Sequence, residues 1–296
     1  MSKAPDTFAN VLGPSLPDEA MENLVIDSLP NGLLVASGGT RTEIKLSRPW
    51  QSDIRVDPST CPFETPTQSE IARWEQSGGW RLLKNLFTPH DWHVLLVPFS
   101  CWPPSQIRTL GGMERIAAAL HIVTEVLGNM PLEEYWLGVH IGPLAGQNIG
   151  HLHYHLIKPL SGPAGNPPAS GVVEWMKNSR LTLLEDSELK TVLGGLRAGQ
   201  CFVFPAGASK VTSGALAAAL DRLIGMYSAS FMSREGLPPD YSIAVKFVGA
   251  EFQYATLVPI LNHWGFTEFM GLLENRPIIL PWPNDESLRQ LLLHPR

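Results

Sequence analysis

One order of elements (strand, helix, strand, strand) is spelled twice in this 296-residue chain. Trp92–Pro98 (WHVLLVP) is an apolar run of strand length, and residues 113–128 (MERIAAALHIVTEVLG) space their apolar side chains as a helix does. Residues 135–140 and 151–157 then read as two more strands. The order returns in residues 199–205, 214–231, 241–247 and 252–261. A repeat of this kind predicts an α+β protein of two tandem halves, each an antiparallel sheet with a helix, set against one another. The expected organisation is an N-terminal arm over 1–25, a first half over 26–165 and a second over 166–296. The linker falls in the Gly-, Pro- and Ser-rich stretch 161–175 (SGPAGNPPASGVVEW).

The halves differ where chemistry is expected. The last strand of the first half carries His151, His153 and His155, which alternate with Leu152, Tyr154 and Leu156. Strand side chains alternate sides, so this spacing predicts three imidazoles on one face and an apolar face behind them. Aligning Pro159 with Pro259 places Glu251, Gln253 and Ala255 opposite the three histidines, so the second half is degenerate. Just upstream, GPLAGQNIG supplies backbone N–H groups able to close around an anion. Imidazoles beside an anion-binding loop suit nucleophilic attack on a phosphate. The competing reading of three alternating histidines is a single metal ion held by all of them.

Composition narrows the partners. A net charge of −6 with no basic block argues against long nucleic acid, while one loop and a few donors suffice for a single nucleotide. No stretch reaches the ~18 apolar residues of a membrane span, and the N-terminal residues lack the apolar core of a signal peptide. Three cysteines (Cys61, Cys101, Cys201) are too few and too odd for a disulfide framework, so the cytoplasm is the expected compartment.

Around the histidines the chain resembles the histidine triad proteins, whose signature is His-x-His-x-His with two apolar residues behind a Gly-x-x-x-Gly-Gln run. Gly142, Gly146, Gln147, His151, His153 and His155 fall at matching positions, and Asn85 to Pro98 (NLFTPHDWHVLLVP) matches a second landmark. The wider layout is similar to the galactose-1-phosphate uridylyltransferase branch, whose members carry two such halves. Leu29-Pro-Asn-Gly, Arg48-Pro, Cys61-Pro-Phe63, Trp80-Arg81 and Pro239-Asp-Tyr share this character.

That resemblance implies an enzyme in which His153 attacks the α-phosphorus of a nucleotide and forms a covalent nucleotidyl-histidine. It further implies His155 at the phosphate or leaving group, Gly146 and Asn148 as phosphate donors with Gln147 in the same loop, Asn85 at the ribose, and His93 behind the catalytic strand. His140 stands where many relatives have asparagine. Transferring relatives have glutamine at the position of His155, and a histidine there is the habit of hydrolytic ones, so water is the expected acceptor. A phosphorylase or a sugar-1-phosphate nucleotidyltransferase is the alternative. Recruitment of the fold to a non-nucleotide step, or to non-catalytic nucleotide sensing, are further ones. Zinc-containing relatives imply a structural Zn²⁺ on Cys61, Glu64, Cys101 and His151, against the plain reading of two buried thiols. The resemblance implies no organic cofactor, and it leaves room for a homodimer. Trp102, Trp264 and Phe266 are candidates for a leaving-group pocket or for core packing.

Overall fold

A computed structural model describes residues 25–29, 32–37, 40–45, 61–64, 71–76, 79–85, 92–100, 112–142, 145, 147, 149–158, 182–193, 200–207, 210–230 and 240–259. The expected linker, the positions Arg48, Cys101, Trp102, Gly146, Asn148, Trp264 and Phe266, and residues 1–24 of the expected arm lie outside the described residues. Three strands, β1 (Val25–Leu29), β2 (Gly32–Ser37) and β3 (Thr40–Lys45), form an antiparallel sheet of their own.

The first half continues with β4 (Ile71–Gln76), β5 (Trp80–Lys84), β6 (Trp92–Pro98), helix α1 (Gly112–Gly128), β7 (Glu134–Ile141) and β8 (Tyr154–Lys158). The second half supplies β9 (Thr182–Glu185), β10 (Leu189–Leu193), β11 (Cys201–Pro205), helix α2 (Ser213–Ser230), β12 (Tyr241–Val248) and β13 (Glu251–Pro259). These ten strands make one sheet in the order β4-β5-β6-β8-β7-β12-β13-β11-β10-β9. Read from either edge inwards, the order is the same, so each half repeats the other about the antiparallel β7–β12 seam. The seam runs unbroken from Tyr241 opposite Ile141 to Val248 opposite Glu134.

Alternation along the strands gives the sheet two faces with different duties. One face carries Leu82, Val94, Leu96, Leu137, Val139, Leu156, Ile243, Val245 and Leu257, all buried in the main core. Against it lie the apolar sides of both helices: Ile116, Ala119, Leu120, Val123 and Leu127 from α1, and Leu216, Leu220, Leu223 and Tyr227 from α2. These recur at the three- and four-residue spacing of an amphipathic helix. Helix α2 starts where the Thr212 hydroxyl accepts from the Ala215 N–H at 3.1 Å, an N-cap. Fully burying each such aliphatic side chain stabilises the fold by about 1.5–3 kcal/mol. Cys201 lies in this core against the Tyr227 hydroxyl at 2.7 Å, and burial pushes its thiol pKa up to about 12.

The other face carries two smaller clusters that mirror one another. Leu83, Leu95 and Val97 pack with Cys61 and Phe63 in the first half, while Val192, Phe202 and Phe204 occupy the matching strands of the second. This face also holds His93, His140 and His155.

Two sequence expectations change here. The three histidines were expected within one strand, but β8 opens only at Tyr154, so His151 and His153 precede it. Their side chains bond to main chain instead, His151 Nε2–H donating to the Pro98 carbonyl and His153 Nδ1–H to the His151 carbonyl. The proline-based alignment of the halves is also off by one residue. His155 pairs with Gly138, Gly138 with Ala244 and Ala244 with Thr256, so a twofold through the Gly138–Ala244 pair sets Thr256 at His155's place. Tyr254 and Phe252 then answer to His153 and His151. Ala255, the alignment's partner for His155, points into the helix-facing core. A slip of one residue moves every side chain of a strand to the other face, and apolar strands buried on both sides hide such a slip from the sequence.

Candidate active site

The histidines gather at the end of β8, between β6 and β7. His93 on β6 lies opposite Ile157, and Leu95 opposite His155, so His93 and His155 share a face on adjacent strands. Their rings meet edge to edge, His93 Nε2 standing 3.0 Å from His155 Nδ1. The Asn85 amide nitrogen lies 3.2 Å from both ring nitrogens of His93. An amide N–H can only donate. When it donates to His93 Nδ1, the His93 hydrogen sits on Nε2, and that N–H donates to His155 Nδ1. His155 is then left with its own hydrogen on Nε2, as a hydrogen-bond donor. Asn85, expected at the ribose, is thus in contact with His93.

His153 is buried, 8% exposed, with its ring 5.0 Å from that of His155 and 5.2 Å from Phe63. Its Nδ1–H donates to the His151 carbonyl at 2.8 Å. That bond fixes the tautomer and makes Nε2 the nitrogen with a lone pair, which a nucleophile requires.

His151 is fully buried, held between Phe63, 5.6 Å away ring to ring, and the Pro98 carbonyl, which accepts its Nε2–H at 2.9 Å. Burial lowers its pKa, so the ring stays neutral near pH 7. Nδ1 therefore presents a lone pair, and the Cys61 Sγ lies 3.3 Å from it. Cys61 and Cys201 are free thiols. Among the described residues no group of three or more His, Cys, Asp or Glu side chains stands together as a metal set, and Glu64 does not join Cys61 and His151 as a third ligand.

The glycine-rich loop begins at Gly142, whose φ of +95° lies in the left-handed region. A Cβ there would collide with the Asp240 carboxylate, which reaches the loop from the residue before β12. Gln147 braces this loop from within. Its Oε1 accepts from the Gly142 N–H at 2.8 Å, and its Nε2 donates to the Ile149 carbonyl at 3.0 Å. The Gln147 side chain, 4% exposed, is therefore engaged with main chain on both sides.

His140 stands on β7 two residues beyond Gly138, on the same face, and its ring lies 6.5 Å from that of His155. Its Nδ1 is 2.8 Å from the Ser242 hydroxyl of β12. Ser242 is a site residue the sequence reading did not name. Its signal was indirect: it sits opposite His140 only because the central strands of the two halves pair.

The structure therefore brings together Asn85, His93, His140, His153 and His155 in one cluster, with Cys61 and His151 behind it and Gln147 in the adjoining loop. Among the described residues, the mirrored positions of the second half hold no such cluster. Gln200 Nε2 donates to Thr256 Oγ1 at 3.1 Å, just where His93 meets His155, but Thr256 in turn donates to the Cys201 carbonyl. Lys246, the counterpart of His140, is salt-linked to Glu134 at 2.7 Å.

With fold and geometry in view, comparison with known proteins is informative. The chain has the fold of galactose-1-phosphate uridylyltransferase-like structures, as the histidine triad resemblance implied. It is similar to an ADP-glucose phosphorylase from Arabidopsis thaliana with bound ADP-glucose, at TM-score 0.53 and 12% identity over 92% of this chain and 99% of that one. A yeast Ap4A phosphorylase in complex with AMP aligns at TM-score 0.50 and 16% identity, over 92% of this chain and 84% of its own. A uridylyltransferase aligns at TM-score 0.50 and 13% identity, over 84% and 91% respectively. At such identities the likeness is one of fold. No family model and no curated protein matches the sequence. No helix among the described residues is long and apolar enough to cross a membrane.

Proposed function

We propose that this protein is an enzyme that cleaves a nucleotide or nucleotide conjugate at its α-phosphorus, through a covalent nucleotidyl-histidine on His153. The observation that carries this reading is the bond from His153 Nδ1–H to the His151 carbonyl, because it leaves Nε2 as the nucleophilic nitrogen. In the first displacement the Nε2 lone pair forms the N–P bond while the bond from phosphorus to the leaving oxygen breaks. His155, its Nε2–H set by the chain from Asn85 through His93, donates a hydrogen bond to that oxygen and stabilises the charge it gains, keeping its own proton. The loop from Gly142, including Gly146 and Asn148, supplies donors to the phosphate oxygens, with Gln147 holding it in shape. In the second displacement an acceptor takes the nucleotidyl group and His153 is released.

Water is the acceptor we favour, because His155 replaces the glutamine of transferring relatives. Inorganic phosphate is the second reading, supported by fold neighbours that are named phosphorylases. Products formed from ADP-glucose and from Ap4A, measured with and without inorganic phosphate, separate the two. Hydrolysis predicts AMP at a rate phosphate leaves unchanged. Obligatory dependence on phosphate, with ADP as product, would overturn water as acceptor.

A structural Zn²⁺ on Cys61, His151 and Cys101 fits the chemistry of the described part of that set, the Cys61 thiol and the His151 imidazole. The 3.3 Å separation of Cys61 Sγ and His151 Nδ1 is close to the ~3.5 Å edge between S and N ligands of a tetrahedral zinc. The His151 Nε2–H bond to the Pro98 carbonyl is the outer-shell anchor that ligating histidines keep. The metal would tie residues 61–64 to the histidine loop. Metal analysis should find about one zinc per chain in the wild type and a large loss in Cys61→Ser. A metal-free wild type with full activity contradicts the assignment. The enzyme is expected to act in the cytoplasm, and an assembly of two copies is compatible with this reading.

A further inference from the structure

We propose that His140 is the base that activates the water in the second displacement, and that Ser242, contributed by the second half, is the positioning residue that holds it. The proposal rests on the hydrolytic reading above and adds a group to it.

Hydrolysis of a nucleotidyl-histidine needs something the first displacement does not. An imidazole or a phosphate dianion attacks with a lone pair already available, whereas water must lose a proton as it attacks. His153 is bonded to phosphorus at that stage, and His155 sits with its Nδ1 turned to His93. Among the described residues of the cluster, His93 is engaged between Asn85 and His155, which leaves His140 as the side chain placed to take a proton. It lies on the same face of β7 as Gly138, the residue paired with His155, and one step along the face from it towards His153. Its ring stands across from His155 at 6.5 Å, and it is half-buried, whereas His93, His151 and His153 are buried.

The partner of His140 sharpens the role. The Ser242 hydroxyl stands 2.8 Å from His140 Nδ1 and is itself buried, 4% exposed. In the proposed step the hydroxyl accepts from Nδ1–H, which makes Nε2 the basic nitrogen, and it stabilises the imidazolium once the proton has been taken. The mirrored end of the seam lacks this arrangement. There Lys246 faces Trp136, and the Lys246 ammonium and the Trp136 indole N–H both bond to Glu134, each at 2.7 Å. Two ends of one symmetric seam thus carry an imidazole–hydroxyl pair beside the histidine cluster and a closed ion pair away from it. The second half, which retains none of the triad histidines, contributes the Ser242 hydroxyl to the site.

The water oxygen forms a bond to the α-phosphorus and its proton passes to His140. The P–N bond electrons return to His153 Nε2, so His153 leaves as a neutral imidazole that keeps its Nδ1–H on the His151 carbonyl. His140 then releases the proton to solvent.

The test loads wild type, His140→Asn, Ser242→Ala and Ser242→Thr with ADP-glucose or Ap4A. It follows the nucleotidyl-enzyme by intact mass after an alkaline quench, since the N–P bond is labile to acid. Discharge is then timed into water alone and into added inorganic phosphate. His140→Asn should form the adduct at the wild-type rate, lose it to water about 100-fold more slowly, and lose it to phosphate within about twofold of wild type. Ser242→Ala should slow the water reaction selectively by about tenfold, and Ser242→Thr, which keeps the hydroxyl, should restore it. Equal slowing of both discharges marks a structural role and overturns the proposal, as does an unchanged water rate in His140→Asn. If wild type forms no adduct at all, the covalent reading fails and this inference falls with it. An adduct that forms normally while His140→Asn discharges normally sinks only the inference.

Discussion

Replacing His153 by alanine should lower kcat by about 10⁴-fold or more and abolish the covalent adduct, because the chain then has no nucleophile at the head of β8. Neither neighbour stands in easily. His151 has its Nδ1 against Cys61 and its Nε2 on the Pro98 carbonyl, and His155 has its Nδ1 turned to His93. The loss should be one of chemistry, not of folding. His153 sits between the rings of Phe63 and His155, and a small residue there removes ring contacts and a hydrogen bond to main chain and leaves the core on the other face of the sheet intact. A thermal melt within a few degrees of wild type, together with retained nucleotide binding, is therefore part of the expected result. Substantial turnover by His153→Ala at wild-type stability would contradict the assignment.

The largest expected effect on stability comes from Gly142→Ala. Two costs combine at this position. A φ of +95° is strained for any residue with a Cβ, by about 1–3 kcal/mol. The added methyl also strikes the Asp240 carboxylate, which is buried and 4% exposed, so the loop or the start of β12 must shift. Together these should destabilise the protein by about 3 kcal/mol, a fall in Tm of roughly 5 °C for a chain of this size. Activity should fall further than stability, because the Gly142 N–H is the group that Gln147 holds to shape the loop. The two costs can be separated. In an Asp240→Ala background the collision is gone and the backbone strain remains, so Gly142→Ala should cost less there than in wild type. A melt unchanged by Gly142→Ala would rule out this account of the loop.

Much of the fold was legible because it rests on local patterns. Trp92–Pro98 and residues 113–128, 135–140, 214–231 and 241–247 lie within a residue or so of the observed elements, since apolar runs and helical spacing report burial directly. The hairpin of β9 and β10 was not read, although its turn carries a clear signal: Asp186 Oδ1 accepts from the Glu188 and Leu189 N–H groups at 2.8 Å. The separate sheet of β1–β3 and the pairing of β4 with β5 were missed as well, their strands being short and only partly apolar.

The site divides along the same line. Histidine spacing pointed to His151, His153 and His155, and the structure adds which nitrogen of each is engaged. Long-range contacts were the illegible part. Phe63 reaches the triad across some ninety residues of chain, and Ser242 meets His140 across the β7–β12 seam at a sequence separation of 102. Such contacts depend on register, and the register of the two halves was the point at which the proline alignment slipped. With Thr256 rather than Ala255 at the place of His155, the hydrogen bond from Gln200 to Thr256 becomes the structural echo of the one between His93 and His155.

The most direct measurement of the central claim is the location of the covalent adduct. Wild-type protein is mixed with ADP-glucose or Ap4A, quenched at alkaline pH, digested and mapped by mass spectrometry. The account predicts one nucleoside monophosphate on the peptide that contains His153, at His153 itself, and none in His153→Ala. Catalytic turnover without any adduct, or an adduct that persists in His153→Ala, would contradict it.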